Sequence, residues 1–266
     1  MDGHRFGALR YRRFRGDLFV GRVSGLAVGQ GDLGDCYFLS SLVAVANLYP
    51  ALVRRAIEDH RDGTYTVTFS SRARGRVTPV PIRVDSRFPV NPRGAQVFGK
   101  GLRNGSHGQE LWPALFEKAF AAWQHGYARI NEGGYGGAAL TSLTGAASRT
   151  RTPNRYSEQR LWWILTEAER ARRPLLSSTP DGQALARRTG RSDNAGLIED
   201  HFYAVLGTSL RGGKRFVRLY SPLVDFSAAV VSTPSAADNA RRVIQLPLAL
   251  YRRAFDELVV GGPPAH

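Results

Sequence analysis

The sequence predicts an α+β fold of two lobes, helical in its first half and β-rich in its second, with the working site between them. Three observations carry that expectation. Apolar runs at helical spacing gather before residue 150, and strand-like runs follow it. The polar stretch Arg149-Thr150-Arg151-Thr152-Pro153-Asn154 divides the two halves. At 266 residues the chain is long enough to bury a substantial core.

Residues 1–20 read as a basic lead-in with little periodic order. Residues 21–148 then form the first lobe. From Asp35 to about Glu58 the apolar positions Phe38, Leu39, Leu42, Val45 and Ala46 repeat at helical spacing, and Pro50 breaks the run or starts a second helix in its first turn. Asp62-Gly63 is a turn signal; Thr64–Phe69 alternates as a strand, and Val80–Asp85 returns as another. Glu110–Gln124 is the clearest amphipathic helix, with Leu111, Trp112, Leu115, Phe116, Ala119, Phe120 and Trp123 on one side and Pro113 tolerated in the first turn. A glycine-rich segment, Gly133–Gly137, follows. The second lobe, residues 149–262, opens with a helix over Ser157–Arg172 and otherwise reads as strands: Leu175–Ser178, His201–Leu206 and Arg215–Tyr220, the last two joined by a turn at Arg211–Lys214.

Composition narrows the function. Apolar residues make up 42% and aromatics 10%, ordinary for a globular protein. The net charge of +15 comes from 37 basic residues of which only Lys100, Lys118 and Lys214 are lysine, a ratio that a GC-rich genome produces. The arginines are scattered, so specific nucleic-acid binding is not expected even though Tyr11-Arg12-Arg13-Phe14-Arg15 is locally basic. No apolar run is long enough to span a bilayer, and Met1-Asp2-Gly3-His4-Arg5 lacks the apolar core of a secretory signal. Cytoplasmic residence is the expectation, with signal-less export as an effector the alternative. One cysteine excludes an intramolecular disulfide.

That cysteine, Cys36, lies in QGDLGDCYFL, between a glycine-rich turn and the first apolar helix. A lone cysteine is more often an inert core thiol than a nucleophile. Here, however, the start of a helix lowers a thiol pKa, Asp35 is available as a cap, and the amide of Gln30 can fold back to donate to a developing oxyanion. A cysteine nucleophile needs a base. Of six histidines, His4 and His266 are terminal, His60 falls in a surface turn, His107 in a loop and His125 at a helix end. His201 begins an apolar strand in the opposite half, so it is the candidate base, the alternative being a solvated strand-end histidine.

Together these residues resemble a known family. Gln30-Gly31-x-x-Gly34-Asp35-Cys36-Tyr37-x-Leu39 is similar to the nucleophile motif of the calpain cysteine proteases. In the same order Glu110–Ala119 resembles the family's "LWPALLEKAYA" helix, Leu143-Thr144-Gly145 its "FTGG", His201-x-Tyr203-Ala204-Val205 its "GHAYSV" and Val217–Pro222 its "IRLRNPW". The resemblance runs over roughly residues 20 to 260. It implies a papain-like fold in a minimal bacterial member of the family. Cys36 would be the nucleophile, His201 the base and Gln30 an oxyanion donor, with Gly34, Gly133, Gly134 and Asp200 lining the substrate cleft. The implied substrate is a protein or peptide; no regulatory partner is identified.

The departures are specific. Ser221 stands where the family has the asparagine that orients the histidine, and a serine oxygen, on a shorter side chain, can need a water to reach. Asp200 and Asp225 are conceivable substitutes, and Leu223 replaces the family's shielding tryptophan. Asp200 also replaces a family glycine whose backbone lines the cleft, and a carboxylate there would narrow the cleft or favour basic substrate side chains. Family members that bind calcium use an acid three residues before the glutamine, here Ala27, and acids before "FTGG", here Gly137–Ser142. No cofactor or metal is therefore expected. The competing readings are a pseudoprotease that kept the cleft as a binding module, and a papain-fold acyl transferase.

Overall fold

The most apolar stretch of the chain becomes its central helix. A computed structural model describes residues 9–101, 109–223 and 243–265; His4, His107, Asp225 and His266 lie outside them. Helix α1 (Cys36–Leu48) is buried on every side from Cys36 to Ala46, which explains why its sequence carries no polar face. Tyr49 ends it and α2 (Pro50–Arg55) starts with proline in its first turn, as expected. Strand β4 (Thr64–Ala73) turns Tyr65, Val67 and Phe69 inward and pairs along its length with β5 (Arg76–Asp85) through a turn at Arg74-Gly75, both at positive φ. Helix α3 (Trp112–Trp123) packs on α1 and β4. Phe120 stacks on Phe38 with ring centroids 3.9 Å apart, and Phe69 meets both edge-on. Two short helices, α4 (Tyr127–Ile130) and α5 (Gly136–Thr144), flank the glycine-rich segment.

The second half is an antiparallel six-stranded sheet. Its order runs β12 (Val243–Pro247), β11 (Lys214–Tyr220), β10 (Phe202–Arg211), β9 (Leu175–Ser178), β13 (Glu257–Gly261) and β8 (Ser148–Arg151). Helix α6 (Glu158–Arg170) caps its first turn with the Ser157 hydroxyl and lays Leu161, Ile164, Leu165 and Ala168 on the sheet. A second core gathers around these residues and Tyr203, Val217, Tyr251 and Phe255. The first core, built on α1 and α3, extends into the sheet through Leu176, Ala204, Tyr220 and Val259.

Four expectations change. Residues 10–13 are not structureless but form β1 (Arg10–Arg13), whose exposed arginines give no apolar period and which is held by pairing with β6 (Arg87–Val90). The helix expected to reach Glu58 stops earlier, because Ile57–Asp59 pairs with β4 as β3. The polar stretch Arg149–Asn154 holds regular structure not read from its sequence: its first three residues belong to β8, which pairs with β13. The second half also holds two helices read as loop or strand, α7 (Gly182–Thr189) and α8 (Leu248–Ala254). The capping signals of α7 were in the sequence: Asp181 accepts from the Ala184 N–H, and Gly190 closes the helix at φ 70°.

Candidate active site

Cys36 is the first residue of α1, so it sits where the unpaired N–H groups and the positive end of the helix dipole lie. It is buried, and the backbone N–H of Phe202 points at its sulfur. One turn further on, the Ser40 hydroxyl donates to the Phe202 carbonyl at 2.7 Å. These two contacts fix the start of α1 against the start of β10, directly beside His201. The expected cap is not made. Asp35 has no hydrogen bond to the first turn of α1 and is instead wholly buried behind it.

His201 is also buried, with the Tyr203 ring edge-on at 5.0 Å. Its Nε2 lies 2.9 Å from the Ser221 oxygen, so the serine reaches the imidazole directly and no bridging water is needed. The Ser221 oxygen also accepts the Leu223 N–H at 3.2 Å. Asp200 is not the orienting group: it is exposed, its backbone N–H goes to the Pro180 carbonyl, and it holds a left-handed φ of 45° where a glycine would be unstrained. His60 faces Thr66 and His125 is exposed, so neither joins the cluster.

Gln30 is pinned twice. Its backbone N–H donates to the Pro222 carbonyl at 2.7 Å, making a bridge to the segment that carries Ser221, and its side-chain Nε2 donates to the Leu33 carbonyl at 2.6 Å. The second Nε2 proton is uncommitted by that bond. The glycines expected at the cleft lie near the start of α1. Gly34 donates its N–H to the Asn131 side chain at 2.9 Å, and a Cβ on Gly134 would meet the Tyr37 ring at 2.6 Å, so that neither position has room for a side chain. Gly34, Gly133 and Gly134 are exposed. A pocket of about 570 Å³ opens behind them, between Tyr37, Phe120 and Trp123, and Cys36 does not line it.

Burial disfavours the charged form of both side chains: it pushes the Cys36 thiol up to about 11 and the His201 imidazole down to about 4. Sequence reasoning missed Tyr220, whose hydroxyl crosses to the Leu26 and Val28 carbonyls at 3.2 and 3.1 Å, and the burial of Glu117 in α3. Only the charge of Glu117, in a helix whose one other charged residue is Lys118, could have flagged the latter.

A buried helix bearing a cysteine at its start, packed against an antiparallel sheet with a histidine immediately before strand β10, defines a papain-like fold. The model of the calpain family of cysteine proteases matches residues 11–227, and the chain belongs to that family. It is 29% identical over 214 residues to a calpain-type cysteine protease of Oryza sativa subsp. japonica, covering 77% of this chain and 9% of that protein. Human calpain-14 is 29% identical over 192 residues, 71% of this chain and 26% of its own length. Human calpain-12 is 30% identical over 184 residues, 68% and 24% respectively. The chain thus spans about a tenth to a quarter of the length of these relatives. No helix among the described residues is long and apolar enough to cross a membrane.

Proposed function

We propose that the chain is a calcium-independent cysteine endopeptidase that cleaves proteins or peptides through an acyl-enzyme on Cys36. The observation that carries this is the direct contact of Ser221 with His201 Nε2, because it supplies the orienting acceptor that the missing asparagine put in question. With the Leu223 N–H on one lone pair of Ser221, the other accepts the imidazole Nε2–H, which leaves Nδ1 free to take the thiol proton. Forming thiolate and imidazolium together lets each charge offset the burial that disfavours the other. The Cys36 sulfur attacks the peptide carbonyl, and the oxyanion accepts a hydrogen bond from the second Gln30 Nε2–H. His201 then gives its proton to the leaving nitrogen as the C–N bond breaks. Water, deprotonated by His201, attacks the thioester and releases the acid and the free thiol.

Calcium takes six to eight oxygen ligands. Ala27 ends the helical turn Gly25–Ala27, and residues 137–142 lie within α5 without a carboxylate, so these residues do not fit the ion. At the open rim Asp200 favours arginine or lysine near the scissile bond. An unstructured protein substrate should be cut by the wild type in a chelator and left intact by Cys36→Ala. Peptide profiling should show enrichment of basic residues that Asp200→Gly removes. If added amines capture the acyl group in preference to water, the enzyme is a transferase; if nothing is cleaved and no acyl-enzyme forms, the cleft is a binding module.

A further inference from the structure

Behind Cys36 lies a pair of carboxyl groups that the peptidase chemistry does not use. Asp35, immediately before the thiol, is 0% exposed, and Glu117 of α3 is 1% exposed. Both Glu117 oxygens receive the Gly99 N–H, at 2.8 and 3.0 Å. Neither Asp35 oxygen receives an N–H or O–H from another residue among those described. The two carboxyl groups are instead in hydrogen-bonding contact with each other. Two carboxylates offer only acceptors, so this contact is a bond only when one of them is protonated. A buried carboxylate without a donor would otherwise carry the full cost of desolvation.

The surrounding groups say which one holds the proton. Glu117 has the Gly99 N–H and, from β7 (Lys100–Gly101), the Lys100 ammonium beside it. Asp35 faces Glu117, with Cys36 and Tyr37 of α1 and Tyr127 of α4 nearby. Burial raises both carboxyl groups, Asp35 well above the usual carboxylate range because the charge of Glu117 adds to it. A negative Asp35 would push the Cys36 thiol up, offsetting the stabilisation that the start of α1 offers a thiolate.

We propose that Asp35 and Glu117 share one proton, held on Asp35 at neutral pH, and that this keeps the residue next to Cys36 uncharged so that the helix start can favour the thiolate. Both are positioning residues that act through Cys36. The consequence for the thiol rests on Cys36 being the nucleophile; the shared proton does not.

Two measurements test this. Infrared spectra at pH 7 should show the carbonyl band of a protonated, buried carboxyl in the wild type, absent from Asp35→Asn and Glu117→Gln. Cys36 is the sole cysteine, so its alkylation by iodoacetamide across pH reports one thiol. Asp35→Asn, whose amide donates to Glu117 as the protonated acid would, should leave the apparent thiol pKa in place. Glu117→Gln donates to Asp35 and lets it ionise, so the thiol pKa should rise by about one unit, as expected for a like charge at close range. No infrared band in the wild type, or both variants shifting the thiol alike, would overturn the proposal. Should Glu117→Gln not fold, the band and Asp35→Asn still decide. A band present in a protein whose thiol alkylates no faster than a free cysteine supports the shared proton and counts against the peptidase reading.

Discussion

In the proposed mechanism, Ser221 and His201 are where the chemistry depends on single atoms. The contact between them is short enough to hold the imidazole, and the serine oxygen is committed to no other side chain among the hydrogen bonds it makes. A hydrogen bond to a group that becomes charged is worth about 1.5–3 kcal/mol, so Ser221→Ala should lower kcat by roughly 10- to 100-fold with KM little changed. Steady-state kinetics on a fluorogenic peptide checks this, and an unchanged kcat would remove Ser221 from the site. The pH profile is a second residue-scale prediction. A general base works in its neutral form, which persists above its pKa. Because burial holds His201 down to about 4, the acid limb of kcat/KM should fall nearer 4 than the ordinary imidazole value of about 6.5. Cys36 and His201 were legible in the sequence because their residue types are scarce and their local patterns differ from those of the other candidates. The Asp35–Glu117 contact was not legible, since only the packing of α3 behind α1 brings them together; sequence alone suggested a cap that Asp35 does not make.

At the scale of elements, the site is the seam between α1 and the sheet. Ser40 ties α1 to β10, Gln30 ties the turn before α1 to Pro222, and Tyr220 at the end of β11 ties the same turn to the sheet. Tyr220→Phe leaves the Leu26 and Val28 carbonyls without that donor in a buried place. It should cost about 1–3 kcal/mol of stability and reduce kcat/KM, read from denaturant melts and kinetics on one preparation. A variant as stable and active as the wild type would show the tie to be idle. Strong periodicity made α1, α3, α6 and the β4–β5 hairpin readable beforehand. The elements that escaped are those whose pairing is set by a distant partner: β1 by β6, β3 by β4, and β8 by β13. Helix α7 escaped for another reason, since its caps were present but its short run mixes arginines with a single buried leucine.

For the whole molecule, the issue is how the two lobes are held in register. The first core reaches into the sheet through Leu176, Ala204, Tyr220 and Val259, so apolar packing already joins the halves. Hydrogen bonds at Gln30, Ser40 and Tyr220 add direction to that packing. On the proposed reading, this packing and these bonds join the halves without an ion. Activity and melting temperature should therefore be the same in a chelator and in millimolar calcium; a calcium-dependent rise in either would contradict this.

The most direct test of the central claim is intact mass after treatment with an electrophilic peptide probe, for wild type, Cys36→Ala and His201→Ala side by side. A single probe adduct on the wild type, absent from Cys36→Ala and strongly slowed in His201→Ala, is the predicted result. Labelling that ignores His201, or no labelling of a folded wild type, would contradict the assignment of Cys36 and His201 as nucleophile and base.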